Sequence, residues 1–370
     1  MISRRHLLAM GAGTALTGFS IGSGRAAETG APGLAGDLGT RLDLGYRAGL
    51  LTGLHAVHVR RRGEMAFEQY FSGPDQDWGR PLGDVTFDAD TLHDLRSVSK
   101  SITSLLYGIA EAKGLVPSTD APLMASFPQY EDLAADPVRA KWTIGHVLNM
   151  TLGIAWNENL PYTNPANSEI QMENAADRYR FILSRDIVSP AGERWNYNGG
   201  CTALLAYLIE KGSGMALDQF AERELFRTLG IDAFDWNRGR DGAVSAASGL
   251  RLTAPALARL GDMMLAGGKW QGRQVVPAPW ISALDTPAAK TNFGLGYRNQ
   301  WYLSRQMAAN AGGMKQMIAA MGNGGQRLYI LPELDLSIAV FAGNYNRRDQ
   351  WMTPTLVLQR IILPAIRPLN

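Results

Sequence analysis

The stretch Leu95-Arg96-Ser97-Val98-Ser99-Lys100-Ser101-Ile102-Thr103-Ser104-Leu105-Leu106 decides how the rest of the chain is read. Ile102, Leu105, Leu106, Ile109 and Ala110 recur at three- and four-residue spacing, which predicts a helix that closes at Lys113-Gly114. Ser97 and Lys100 stand at i and i+3 at its start, so hydroxyl and amine share a face and can meet. A serine hydroxyl is a weak nucleophile and needs a base within hydrogen-bond reach. A lysine can serve if burial and cationic neighbours lower its pKa from about 10.4 toward neutrality. The helix N-terminus adds the Ser97 N–H and the positive end of the dipole, both suited to a developing oxyanion. Of the seven lysines, Lys100 alone has a serine three residues before it. Ser104, at i+4 from Lys100, competes for the role but sits a turn into the helix, away from free backbone donors.

Working outward, residues 55–61 and 65–71 read as two strands joined by Arg62-Gly63, a hairpin. Residues 325–332 and 336–342 mirror them near the other end, separated by Pro332-Glu333-Leu334-Asp335 and followed by an apolar helix over about 355–366. Between lie helical stripes, at Leu204, Leu205, Leu208 and Ile209 and over residues 257–266, with loops punctuated by Pro and Gly. A lone hairpin cannot cover its edges, so strands from both ends are expected to pair. The expectation is an α+β fold: an antiparallel sheet built from both chain ends, about 53–95 and 295–370, flanked by helices. A mostly helical subdomain, about 97–290, is inserted, with a cleft where sheet and helices meet.

Arg4-Arg5 precedes an apolar stretch rich in Gly and Thr, from Leu7 to Ile21, with small residues around Arg25. That order reads as a twin-arginine-type signal peptide over residues 1–26, leaving 27–370 as one catalytic domain. The translocation machinery is then a partner, and the destination is the periplasm. The apolar run is short for a stable membrane anchor. Lys and Arg number 36 against 34 Asp and Glu; losing Arg4, Arg5 and Arg25 leaves 33 against 34. A nearly neutral chain gives no reason to expect a nucleic-acid partner. Cys201 is the single cysteine, which excludes an intramolecular disulfide, and it reads as a packing residue. His55 and His58 lie an odd number of positions apart in a strand and face opposite ways, so no metal site is expected. Gly18-Phe19-Ser20-Ile21-Gly22 fits a nucleophile-elbow pattern by coincidence, since it falls in the leader.

Several stretches together resemble the class C β-lactamase and penicillin-binding-protein-like serine hydrolases. They are the Ser97 region, Thr143 to Ile154, Pro190-Ala-Gly-Glu-Arg-Trp-Asn-Tyr197-Asn-Gly-Gly-Cys201, Gly249 to Thr253, and Gly322-Asn-Gly-Gly-Gln326 ahead of a strand, in the family's order. The resemblance implies an acylated Ser97, with Lys100 and Tyr197 sharing the proton work, and no cofactor. It implies an oxyanion hole from the N–H groups of Ser97 and Gln326. Asn323, Gly324 and Gly325 would line the substrate site, and Trp156 and Trp195 an apolar pocket.

Two departures matter. The family's Tyr-x-Asn reads Tyr197-Asn198-Gly199 here, and its Lys-Thr-Gly or His-x-Gly is filled by Asn323-Gly324-Gly325, which carries no charge for a substrate carboxylate. The pattern is closer to the branch of esterases and 6-aminohexanoate-dimer-hydrolase-like amidases, implying a small-molecule ester or amide as substrate. A β-lactamase or D-Ala carboxypeptidase, or a binding domain that has lost turnover, are the alternatives. If the leader reading holds, changing Arg4 and Arg5 together to Lys leaves the precursor in the cytoplasm, whereas the wild type is cleaved near Ala26. N-terminal sequencing of the fractionated protein checks this.

Overall fold

The computed structural model describes residues 33–367; the expected leader, with Ser20 inside it, lies outside the described residues. The central element is an eight-stranded antiparallel sheet. In chain order its strands are β1 (Leu54–Arg61), β2 (Glu64–Tyr70), β3 (Ala289–Lys290), β4 (Gly296–Arg298), β5 (Trp301–Ala308), β6 (Gly313–Gly322), β7 (Gln326–Leu331) and β8 (Leu336–Ala342). Across the sheet they run β3-β4-β5-β6-β7-β8-β1-β2. The two ends of the chain meet at β8 and β1, where Val57 pairs with Val340 and Val59 with Ile338. Both of these strands are buried along nearly their whole length, because a central strand covered on both faces must be apolar on both.

The helices named below cover this sheet. α1 (Leu38–Arg47) packs on the C-terminal helical segment of residues 352–365. α2 (Val98–Ala112) lies against β6, β7 and α3 (Gly199–Ser213), and α4 (Ala254–Leu265) lies over β7, β8 and β1. Enclosed between sheet and α3, α2 is buried from Val98 to Ala110. Its polar side chains are therefore obliged to find partners: Ser101 donates to the Gln300 carbonyl at 2.7 Å and Thr103 to that of Ala246 at 3.3 Å.

The structure redraws two boundaries. Residues 72–86 form a separate two-stranded hairpin instead of extending the main sheet. His93–Asp94 joins Leu250–Leu252 and Phe234–Trp236 in a small three-stranded sheet, so the inserted region contributes strands as well as helices. The hairpin of β5 and β6, inside the expected 295–370 region, joins β4 to β7 in the main sheet.

His55 and His58 occupy different surroundings on β1. His55 stacks on Phe87 (ring centroids 4.0 Å apart), which stacks on His93 (4.8 Å), which stacks on Phe341 (4.2 Å). Burial pushes His55 down to about 3, and burial together with Arg60 and Arg259 pushes His58 down to about 4. His93, fully enclosed, is also held far below its usual value by burial. These imidazoles are neutral in the fold but take up protons once unfolded, so stability is lost as pH falls below about 6.5, the ordinary histidine value. Each contributes about 1.4 kcal/mol per pH unit down to its folded pKa. Urea midpoints measured from pH 7 to pH 4 should fall less steeply in His55→Phe/His93→Phe than in the wild type.

Candidate active site

A tight turn presents Ser97. Arg96 has φ of +48°, a left-handed conformation uncommon for a side chain of this size, and it swings the chain from the short strand His93–Asp94 into α2. The turn is pinned from several sides. The Leu95 N–H donates to the Leu250 carbonyl, the Ser99 hydroxyl donates to the Arg96 carbonyl at 2.7 Å, and the Leu250 N–H donates to Ser99 Oγ at 3.2 Å. Arg96 pairs with buried Asp94 at 3.0 Å and lies over the Tyr345 ring. Ser97 thus occupies the N-cap position of α2.

One turn on, Lys100 is 2 % exposed. Its Nζ lies 3.3 Å from Ser97 Oγ, 3.0 Å from the Ala247 carbonyl and 3.8 Å from Glu169 Oε2, and it sits over the Tyr197 ring, 4.8 Å from the centroid. Tyr197 precedes α3, which is capped by Asn198 through its side-chain oxygen and the Cys201 N–H at 3.2 Å. The Tyr197 hydroxyl is adjacent to both Ser97 and Lys100. Burial pushes that hydroxyl above its ordinary value, while Lys100 pulls it back. The structure brings together Ser97, Lys100 and Tyr197, which are separated by as many as 100 positions in sequence. Ser104 is buried within α2, and Cys201 is buried with its thiol pushed up by burial.

The lysine's environment differs from the sequence expectation. Burial alone would lower its pKa, but the negative charge of Glu169, with Tyr197 and Glu158 adding to it, outweighs burial and holds the ammonium above its usual value. Glu169 comes from the short helix Ser168–Glu173, capped by Asn167, and its Oε1 accepts from Ser248 at 3.1 Å. Sequence reasoning missed Glu158, Glu169 and Ser248. No spacing rule links them to Lys100, since they arrive from separate loops.

Ser97 opens onto a cavity of about 320 Å³, whose wall includes Arg96, Tyr162, Glu169, Glu173, Ser248 and Asn323. Tyr197 lines a second one of about 510 Å³ with Glu158, Trp195, Asn292, Phe293 and Tyr302. Several expected binding residues fall elsewhere. Gln326 is not among the residues lining the Ser97 cavity; its side chain is completely buried, the amide donating to the Ala342 carbonyl at 2.6 Å. Gly324 and Gly325, at φ of +92° and +103°, form the turn between β6 and β7 and pack on Tyr345 and Ala342, away from that cavity. Trp156 is buried under Gly200 and donates to Glu158 Oε1 at 2.6 Å, supporting the site from behind. Asn323 does line the Ser97 cavity, but its side chain is engaged with Asn346, donating to Oδ1 at 3.1 Å and accepting from the N–H at 2.7 Å. Neither the Ser97 N–H nor the Asn323 N–H donates to a described residue, which leaves two backbone donors at one cavity.

A model of the Beta-lactamase family matches residues 28–352. A 6-aminohexanoate-dimer hydrolase of Paenarthrobacter ureafaciens is 26% identical over 279 residues, which cover 67% of this chain and 65% of that protein. The chain therefore spans just under two thirds of the length of that relative. Among solved structures, a family VIII carboxylesterase superposes with a TM-score of 0.66 at 12% identity, over 88% of this chain and 97% of its own. A beta-lactamase/D-alanine carboxypeptidase from Pseudomonas syringae superposes with a TM-score of 0.62 at 17% identity, over 87% and 98%. At these identities the two structures share the fold with this chain.

Gly322 ends β6 against the nucleophile turn: a methyl there would lie 2.3 Å from the Leu95 carbonyl oxygen and 3.3 Å from Arg96 Cβ. Both the main chain and the turn would have to part. Gly322→Ala should cost about 1–3 kcal/mol of stability, the usual size of overpacking, in a urea titration.

Proposed function

The chain belongs to the beta-lactamase family, and from that premise we propose that it is a serine hydrolase acting on a small ester or amide through an acyl-enzyme on Ser97. One observation carries the reading: Ser97 Oγ, at the N-terminus of a buried helix and at the wall of a cavity, lies 3.3 Å from Lys100 Nζ with the Tyr197 hydroxyl beside both. In this mechanism the Lys100–Tyr197 pair first gives up one proton to solvent, and the Ser97 oxygen then attacks the substrate carbonyl while its own proton passes to the vacated place on that pair. That pair then protonates the leaving alcohol or amine. The Ser97 and Asn323 N–H groups receive the oxyanion, since both residues line the cavity and neither N–H donates to another described residue. Water repeats the sequence to release the acid. The cavity at Ser97 and the one at Tyr197 suit the two halves of the substrate on either side of the scissile bond. Export by the twin-arginine route belongs to the same proposal and rests on Arg4-Arg5 and the apolar run behind them.

The lining of the Ser97 cavity favours substrates without a carboxylate. Its cation, Arg96, is already paired with Asp94, and Glu169 and Glu173 both face the same space. An anionic group there would meet two acids and a neutralised guanidinium. The 6-aminohexanoate-dimer hydrolase and the carboxylesterase among the similar proteins are consistent with linear amides and esters.

A fluorophosphonate should add its mass to the peptide containing Ser97 and to no peptide of Ser97→Ala; an adduct that persists in that variant overturns the assignment. Lys100→Ala and Tyr197→Phe should each lower turnover by at least about 10²-fold. Together they should cost far less than the product, because they act on one proton. With a p-nitrophenyl ester, a linear amide and a chromogenic cephalosporin measured side by side, kcat/KM for the cephalosporin should be the lowest.

A further inference from the structure

The inference concerns what holds the proton on Lys100, and it rests on the Ser97 acyl-enzyme reading. Two carboxyl groups converge behind the lysine from separate segments. A methyl placed on Gly199 would lie 2.9 Å from Glu169 Oε2 and 3.0 Å from Glu158 Oε1, so both acids occupy the space that a side chain at this position would fill. This is where the family's tyrosine motif often carries Asn and this chain carries Gly. Each acid is anchored by one oxygen. Glu158 Oε1 accepts from the Trp156 indole and the Gly199 N–H, and Glu169 Oε1 accepts from Ser248, whose oxygen in turn accepts from the Trp78 indole at 3.1 Å. The other oxygen of each is buried without a hydrogen-bond partner among the described residues, and Glu169 Oε2 is the one 3.8 Å from Lys100 Nζ.

Two buried carboxylates in contact cannot both ionise cheaply, so the pair retains one proton and one charge. The lysine decides which acid is charged, since it faces Glu169. We propose that Glu169 is a positioning residue of the reaction: its carboxylate, paired with a protonated Glu158, retains the proton on Lys100 and so sets the pH at which Ser97 becomes nucleophilic. The directions agree. Burial and the neighbouring Glu169 push Glu158 up to about 8, whereas burial at Glu169 is overcome by Lys100, which holds it below the usual carboxylate range.

The other charged and titratable groups facing the pair are Tyr197 before α3, Tyr162 in the loop, Arg96 at the turn before α2, Glu173 on the helix of Glu169, Cys201 on α3, and Tyr297 and Tyr302 on β4 and β5, both pushed up by burial. Glu173 is itself paired with Arg178 at 3.0 Å, and Arg96 with Asp94. Tyr162, Tyr197 and Cys201 are pushed upward by burial, which leaves Glu169 and Lys100 as the charges in opposition at the nucleophile. The Glu169 charge also raises Tyr197. Its removal therefore lowers the pKa of whichever of the two groups takes the Ser97 proton.

The test measures the rate at which a fluorophosphonate modifies Ser97 in the full mature protein between pH 5 and pH 10, read by mass spectrometry. The logarithm of the wild-type rate rises with pH as one limb across this whole window, because proton loss from the Lys100–Tyr197 pair lies above it. Glu169→Gln should move that limb down by at least about one pH unit, as expected for loss of a charge 3.8 Å away in a buried site. Glu169→Asp, which keeps the charge, should move it less than half as far. Glu158→Gln, which mimics the protonated acid, should leave the limb in place. A Glu169→Gln limb that does not move, or equal shifts in Glu169→Gln and Glu169→Asp, overturns the proposal. If Glu169→Gln does not fold, Glu158→Gln decides: a stationary limb supports the shared proton, and a shift of a pH unit overturns it. Failure of the wild type to label at Ser97 would instead overturn the acyl-enzyme reading.

Discussion

An ammonium group enclosed in a protein core must be given acceptors, and much of this site is arranged around that requirement. Lys100 lies on a helix buried between sheet and α3, where an uncompensated charge would cost several kcal/mol. Three elements distant in sequence meet the need: the loop carrying Ala247 and Ser248, the short helix carrying Glu169, and the Tyr197 segment before α3. Each introduces polar atoms of its own, several of which are engaged in turn, while one oxygen each of Glu158 and Glu169 is buried without a hydrogen-bond partner among the described residues. Ser248 receives the Trp78 indole, Glu158 the Trp156 indole, and the absence of a side chain at Gly199 makes room for both acids. A network of this kind is stable only when its members are supplied together, which ties the inserted region to the sheet.

The same demand shapes the chemistry. A lysine near carboxylates keeps its proton, so in the proposed mechanism Ser97 is activated by a set of groups acting together and not by a free amine waiting beside it. The Arg96 turn adds a second constraint. Holding a long side chain at positive φ costs free energy, and the hydrogen bonds through Ser99, Leu95 and Leu250 offset it. What results is a nucleophile fixed at the start of a rigid helix, with the end of β6 brought close through Gly322. The two backbone N–H groups left unengaged there, of Ser97 and Asn323, belong to elements that this close approach brings together.

Much of this was legible in the chain. Apolar spacing placed α2 and α3, a short loop placed the β1–β2 hairpin, and the i, i+3 relation put Ser97 beside Lys100, because these are local consequences of helix and strand periods. The strands joining the two ends followed from the need to cover sheet edges. The binding residues drawn from the third motif were less secure. Glycines at 324 and 325 mark a turn as readily as a substrate approach, and the structure places them at positive φ between β6 and β7. Gln326 stands three residues from Asn323, and its side chain is sealed inside against the Ala342 carbonyl.

The sequence by itself determined the nucleophile's setting, the neighbouring tyrosine motif, the general α+β plan and the single unpaired cysteine, since each depends on residue type and short-range spacing. Tertiary structure decided the approach of Glu169 to Lys100, the convergence of Glu158 and Glu169 at Gly199, the engagement of Asn323 with Asn346 and the supporting place of Trp156. The physical reason is common to all four. Electrostatic energy in a low-dielectric interior depends on distances of a few ångströms between groups that the chain holds far apart, and no periodicity records those distances.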